Sequence, residues 1–136
     1  MSKITITKQA YESILAQAKQ EAPCEACGYL LGMDKENANE NYAMTNIDHS
    51  EEHFSFDPKE QFAAIKYARK KGLKVVGNWH SHPASPSRPS QEDIRLAFDP
   101  SILYFILSLE DETPVLNAFR IQNGDVKKFS VTITDY

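Results

Sequence analysis

Little in this sequence is present in excess, and its shortages exclude several classes of protein. Two cysteines in 136 residues are too few for a secreted disulfide framework. The longest apolar run, Ile102 to Leu107, is far too short to span a bilayer. The N-terminus, Met1-Ser2-Lys3-Ile4-Thr5, has no apolar stretch that would serve as a signal peptide, so a cytoplasmic location is expected. A cationic surplus is missing too. Lys and Arg number 15 against 19 Asp and Glu, and the net charge of −4 gives no electrostatic reason to expect nucleic acid. Neither an internal repeat nor a low-complexity tract interrupts the chain. What remains is ordinary: 41% hydrophobic and 25% charged residues, in a chain long enough to bury one core. A single domain over residues 1–136 is expected.

The hydrophobic patterning alternates between two periods. Lys3 to Thr7 alternates and reads as a short edge strand. Tyr11, Ile14, Leu15 and Ala18 recur at helical spacing between Gln9 and Glu21, and Pro23 stops that helix. Gly28 to Met33 reads as a buried strand, Asp34 to Asn41 as a polar turn, and Tyr42 to Ile47 as the return strand. A second helix is announced by Asp57-Pro58-Lys59-Glu60, with Asp57 as cap and Glu60 at the reciprocal capping position. Phe62, Ile65 and Ala68 are expected to form its buried face, and Gly72 to end it. Lys74 to His80 reads as a strand, followed by a loop rich in Pro and Ser and a short third helix from about Gln91 that Asp99-Pro100 breaks. Ile102 to Leu109 is a central-type strand, and Val115 to Ile121 and Val126 to Thr134 flank an Asn123-Gly124 hairpin turn. The expected class is α/β of the α+β type, a mixed and mostly antiparallel sheet flanked by about three helices.

Chemistry concentrates around His80-Ser81-His82-Pro83. The two imidazoles are expected to converge where the backbone leaves the strand, a departure that Pro83 enforces. Asp93 lies one turn after the expected cap Ser90, so its carboxylate can point back towards the loop. Two imidazoles and one carboxylate leave a fourth tetrahedral position open, the arrangement of catalytic rather than structural zinc. Zinc so held lowers the pKa of a bound water towards ~7 and polarises a carbonyl. A base and an oxyanion donor are still required. Glu25 is the best-placed base and Ser90 the nearest donor. Solvated histidines and a simple capping box at Ser90-Gln91-Glu92-Asp93 would account for the same residues without metal. The joint spacing weighs against that, since it arises by chance in only ~10⁻⁵ of chains this long at ordinary residue frequencies.

With Glu25-Ala26-Cys27-Gly28-Tyr29-Leu30-Leu31-Gly32 upstream, the pattern His80-Ser81-His82-Pro83…Ser90…Asp93 resembles the JAMM (MPN+) zinc metallopeptidases. Their short bacterial, stand-alone branch is the most similar. The resemblance extends from about Lys3 to Thr134 and implies a cytidine-deaminase-like architecture. It implies His80, His82 and Asp93 as ligands of one Zn2+ per chain, and Glu25 as the general acid/base that holds the attacking water. Ser90 would stabilise the tetrahedral intermediate. The implied reaction is hydrolysis of a peptide or isopeptide bond at the C-terminal tail of a ubiquitin-like protein. Among the similar bacterial members that partner is a sulfur-carrier protein ending in Gly-Gly. Alternatives of other kinds are a non-cleaving binding module for ubiquitin-like proteins, a RadC-like DNA-repair-associated protein, and a phage-tail or cell-wall peptidase.

Three further motifs have simpler readings. Pro23-Cys24-Glu25-Ala26-Cys27 matches half of a zinc deaminase signature, but no histidine precedes residue 49. A redox role for Cys24 and Cys27 stays open, although Cys27 opens a buried strand where inert packing is the usual fate. His49-Ser50-Glu51-Glu52-His53 matches His-x-x-Glu-His, yet it has no apolar face and reads as a solvated loop bordering the cleft. Lys66, Arg69, Lys70 and Lys71 read as the solvated face of the second helix.

Overall fold

The computed structural model of the chain describes residues 3–135. Eight strands and three helices occur among them, in the order β1 (Ile4–Thr7), α1 (Lys8–Glu21), β2 (Cys27–Gly32), β3 (Asn37–Ala38), β4 (Glu40–Met44), α2 (Pro58–Lys71), β5 (Lys74–His82), α3 (Gln91–Arg95), β6 (Leu103–Ser108), β7 (Val115–Gln122) and β8 (Asp125–Thr134). The strands form one mixed sheet in the order β3-β1-β8-β7-β6-β5-β2-β4. Antiparallel pairs hold β2 to β4 and β5, and β7 to β6 and β8, while β5 runs parallel to β6 and β1 parallel to β3 and β8.

The two ends of that order are neighbours in sequence. Only Asn39 separates β3 from β4, so the sheet must curl until its ends meet. The Asn39 N–H donates to the Leu31 carbonyl at 2.7 Å and fastens the junction to β2. Gly32 permits it: a Cβ there would lie 1.9 Å from the Asn37 carbonyl oxygen. β3 falls within the stretch expected to be a turn, because two residues are too few to show alternation. Its presence also moves β1 inward, so the expected edge strand has partners on both sides.

Each face of the sheet carries its own core. Thr7 caps α1 by accepting the Ala10 N–H at 3.2 Å, and Ala10, Ile14 and Ala18 are buried against Ile4, Ile6, Leu30, Trp79, Phe105 and Leu107. Strand residues of opposite parity face the other way. There α2 covers Tyr29, Leu31 and Met44, and the segment around Ile94 and Ala97 covers Tyr104, Ile106 and Phe119.

Two expectations about α2 are corrected. Asp57 does cap it and Gly72 ends it in the left-handed conformation, but Glu60 does not close a capping box. Its carboxylate instead accepts from the Thr45 N–H at 2.7 Å and the Thr45 hydroxyl at 2.9 Å. Ala64 and Ala68 form the buried face, while Phe62 is 68% and Ile65 42% exposed. Small residues let the helix lie close on the sheet, nearest β5, and apolar bulk alone pointed to the wrong stripe. The third helix also ends at Arg95, before Asp99-Pro100. No helix among the described residues is long and apolar enough to cross a membrane.

Candidate metal centre

β5 carries both histidines of the His-x-His segment, and residues two apart on a strand face the same side. The imidazoles therefore converge within the strand. The expectation that the backbone must first leave it is corrected. His80 sits opposite Cys27 on β2 and Ile106 on β6, and His82 opposite Ser108. Between them Ser81 points to the other face, where its hydroxyl accepts the Ala26 N–H at 2.8 Å.

Asp93 reaches them from α3. The Ser90 hydroxyl accepts the Asp93 N–H at 3.0 Å, and Asp93 Oδ2 accepts the Ser90 N–H at 2.9 Å. This reciprocal cap turns the carboxylate back towards β5, so capping and metal binding are compatible roles of one arrangement. Asp93 Oδ2 lies 3.2 Å from both His80 Nε2 and His82 Nε2, which are 3.1 Å apart.

Three donor atoms at the corners of a nearly equilateral triangle fit a metal ion. Zinc bonds of 2.0–2.1 Å in tetrahedral geometry would set ligand atoms about 3.3–3.4 Å apart. The His82 tautomer also suits a ligand, because Nδ1 donates to the Pro86 carbonyl at 2.9 Å and leaves the Nε2 lone pair free. His80 Nδ1 is buried without a hydrogen-bond partner, and the Phe54 ring stacks on that imidazole at 4.6 Å and 26°. Among the described residues, His80, His82 and Asp93 are the group that could hold a metal ion.

The protonation states of Asp93 and His80 point the same way, whereas that of His82 opposes them while no metal is bound. Burial works to raise the Asp93 pKa, but the two histidine contacts and the Ser90 N–H hold it far below the usual carboxylate range. Burial pushes His80 down, favouring neutral imidazole. At His82 burial acts in the same sense, yet the contacts with Asp93 and the Pro86 carbonyl outweigh it and raise the pKa.

Glu25 lies in the turn before β2 and is 3% exposed. Its backbone N–H donates to the Ser50 carbonyl at 2.8 Å, while Oε1 is buried with no partner. Burial pushes its carboxyl up to about 8, with Asp93, Glu92 and Glu52 adding to the rise and His82 opposing it. A carboxyl beside a metal site that changes protonation near neutral pH is suited to carrying protons.

The competing motifs do not assemble. Cys24 and Cys27 are free, and neither joins the metal group. Burial pushes the Cys27 thiol up to about 12, so that sulfur is inert, while the Cys24 thiol donates to the His49 carbonyl at 3.3 Å. His53 pairs with Asp48 at 3.1 Å instead of meeting His49 at a metal. Their loop does border the site, as expected, because it delivers Ser50 to Glu25 and Phe54 to His80. Sequence reasoning missed the Phe54 stack and the Pro86 carbonyl. A stacking role has no motif, and a main-chain acceptor has no residue type.

Comparison with known proteins agrees with this geometry. The family described as prokaryotic homologs of the JAB domain matches residues 7–122. The CysO-cysteine peptidase of Mycobacterium tuberculosis is 28% identical over 134 residues, 97% of this chain and 92% of its own length. The desampylase of Pyrococcus furiosus is 30% identical over 89 residues, 65% of this chain and 63% of its own length. A protein of Desulfitobacterium hafniense solved in solution superposes with a TM-score of 0.89 at 46% identity, over 98% of this chain and 94% of that one. A JAB1/MPN domain protein of Archaeoglobus fulgidus shares the fold with a TM-score of 0.62 at 24% identity, over 97% of this chain and 100% of that one. Metal-ready triangle, mixed sheet and family match converge: the chain belongs to the prokaryotic branch of the JAB/MPN family.

Proposed function

We propose that this protein is a zinc-dependent peptidase of the cytoplasm. It hydrolyses a peptide or isopeptide bond at the C-terminal tail of a ubiquitin-like, sulfur-carrier type of protein. The observation that carries the reading is the triangle of His80 Nε2, His82 Nε2 and Asp93 Oδ2, with the buried carboxyl of Glu25 electrostatically coupled to two of its members. The relatives named CysO-cysteine peptidase and desampylase support a protein-tail substrate.

His80, His82 and Asp93 would hold one zinc per chain, and their donor types suit it. Zinc held there acidifies a water molecule and polarises a substrate carbonyl. Glu25 takes the proton of the attacking water and returns it to the leaving amine nitrogen. Ser90 spends its hydroxyl oxygen on the Asp93 N–H, which leaves its own O–H free to donate to the developing oxyanion. Phe54 covers one face of His80 and limits the water that reaches it.

The test is incubation of the zinc-loaded protein with Gly-Gly-ending sulfur-carrier proteins bearing C-terminal extensions, read by intact mass. Release of the extension, abolished by a chelator and restored by zinc, is expected. Failure to take up zinc on titration would overturn the metal assignment. Retention of an uncleaved carrier by zinc-loaded protein would favour a binding module.

A further inference from the structure

Glu25 is positioned through its backbone. Its N–H donates to the Ser50 carbonyl at 2.8 Å, its carbonyl accepts from Asn46 Nδ2 at 3.0 Å, and no hydrogen bond reaches its buried Oε1. Where the carboxyl points therefore depends on where these two contacts hold the main chain.

Asn46 is itself 3% exposed and commits its whole side chain. Its second Nδ2 hydrogen goes to the His53 carbonyl at 3.0 Å, and Oδ1 accepts the Asp48 N–H at 3.1 Å and the Ser55 N–H at 3.2 Å. A carboxamide offers two donors and two acceptor lone pairs, and all four are used. A carboxylate of the same shape would set an acceptor against two carbonyl oxygens. The loop that Asn46 gathers also carries Ser50 to Glu25 and the Phe54 ring to His80.

We propose that Asn46 is a positioning residue for the reaction, holding the Glu25 main chain and the Phe54 loop in one fixed relation to the histidines. This rests on reading Glu25 as the general base. Asn46 touches neither substrate nor metal, so its effect passes through Glu25.

The experiment compares N46D, N46S and S55A on a Gly-Gly-tailed sulfur-carrier protein bearing one extra C-terminal residue, with rates normalised to bound zinc. N46D keeps the acceptors for Asp48 and Ser55 but loses both donors, and N46S loses most of the set without adding charge. S55A removes the Ser55 hydroxyl bond to Asp48 and keeps every hydrogen bond of Asn46, whose Oδ1 accepts the Ser55 backbone N–H. In both Asn46 variants kcat is expected to fall about tenfold or more, with KM within about threefold and zinc still stoichiometric. S55A is expected to keep kcat. Unchanged kcat in the Asn46 variants, or an equal fall in S55A, would overturn the proposal. E25Q is measured alongside: parent-level turnover in E25Q sinks the general-base reading itself, whatever Asn46 does. In the unmodified protein the Asn46 carboxamide protons are expected to exchange slowly with solvent. Exchange at the free-amide rate would refute the grip even if no variant folds.

Discussion

Ser90 and Asp93 bond to each other twice, hydroxyl to N–H in one direction and N–H to carboxylate in the other. The same two contacts begin α3 and aim Asp93 Oδ2 at His80 and His82. A substitution at Ser90 is therefore felt first at the group of His80, His82 and Asp93.

Ser90→Ala removes the cap and the orienting partner together. It is expected to cost about 1 kcal/mol of stability, and to weaken zinc binding about 10–100-fold. Ser90→Thr keeps the hydroxyl and is expected to recover most of both. Thermal melts and competitive zinc titration give the two quantities separately.

His80→Ala and Asp93→Asn are expected to lose stoichiometric zinc while still folding, since the cores on the two faces of the sheet are formed by other residues. Metal content by elemental analysis and the circular dichroism spectrum check this. Unfolding on chelation of the parent would contradict it.

Glu25 links stability to pH in the metal-free protein. Its folded pKa lies near 8, above the ordinary value of 4.5. Below that ordinary value both states hold the proton and nothing is lost. Between the two values the unfolded chain releases the proton while the folded one keeps it, so stability falls as pH rises, and it levels off above about 8. At ~1.4 kcal/mol per unit the loss is on the order of a few kcal/mol. Glu25→Gln should remove this dependence, leaving the variant more stable than the parent at high pH and equal to it near pH 4. Chelator-treated melts across pH decide it; parallel curves for the two proteins would refute the buried carboxyl.

The corrected face of α2 has its own test. Phe62→Ser is expected to change stability by no more than about 0.5 kcal/mol. Ala64→Leu, at a position with no exposed surface, should cost about 1–3 kcal/mol by overpacking. Chemical denaturation of both variants reads the difference.

Much of this was legible in the amino-acid sequence, for identifiable reasons. The convergence of His80, His82 and Asp93, with Ser90 as cap, was legible because these residues lie within fourteen consecutive positions and are placed by local geometry, a strand and a cap. The terminal hairpin was legible because Asn123-Gly124 demands positive φ at both positions, as found. What escaped was non-local. β3 gains its identity only by pairing with β1, thirty-two residues earlier in the chain. The buried stripe of α2 is chosen by how near the helix lies to the sheet at β5, which no local pattern records. Phe54, Pro86 and Asn46 matter through contacts that span loops.

The Asn39 junction gives the sheet the mechanics of a hoop. Starting from the strand that bears the histidines, one route to β1 runs through β6, β7 and β8, and the other through β2, β4, Asn39 and β3. No strand is remote in such a ring, and strain at the histidine strand is shared in both directions. The closure does not hang on the main chain alone. The Asn39 N–H bond to Leu31, the contacts of β2 with β3 and the Asn41 bonds to Ser13 and Gln17 of α1 also tie the two borders together behind His80 and His82.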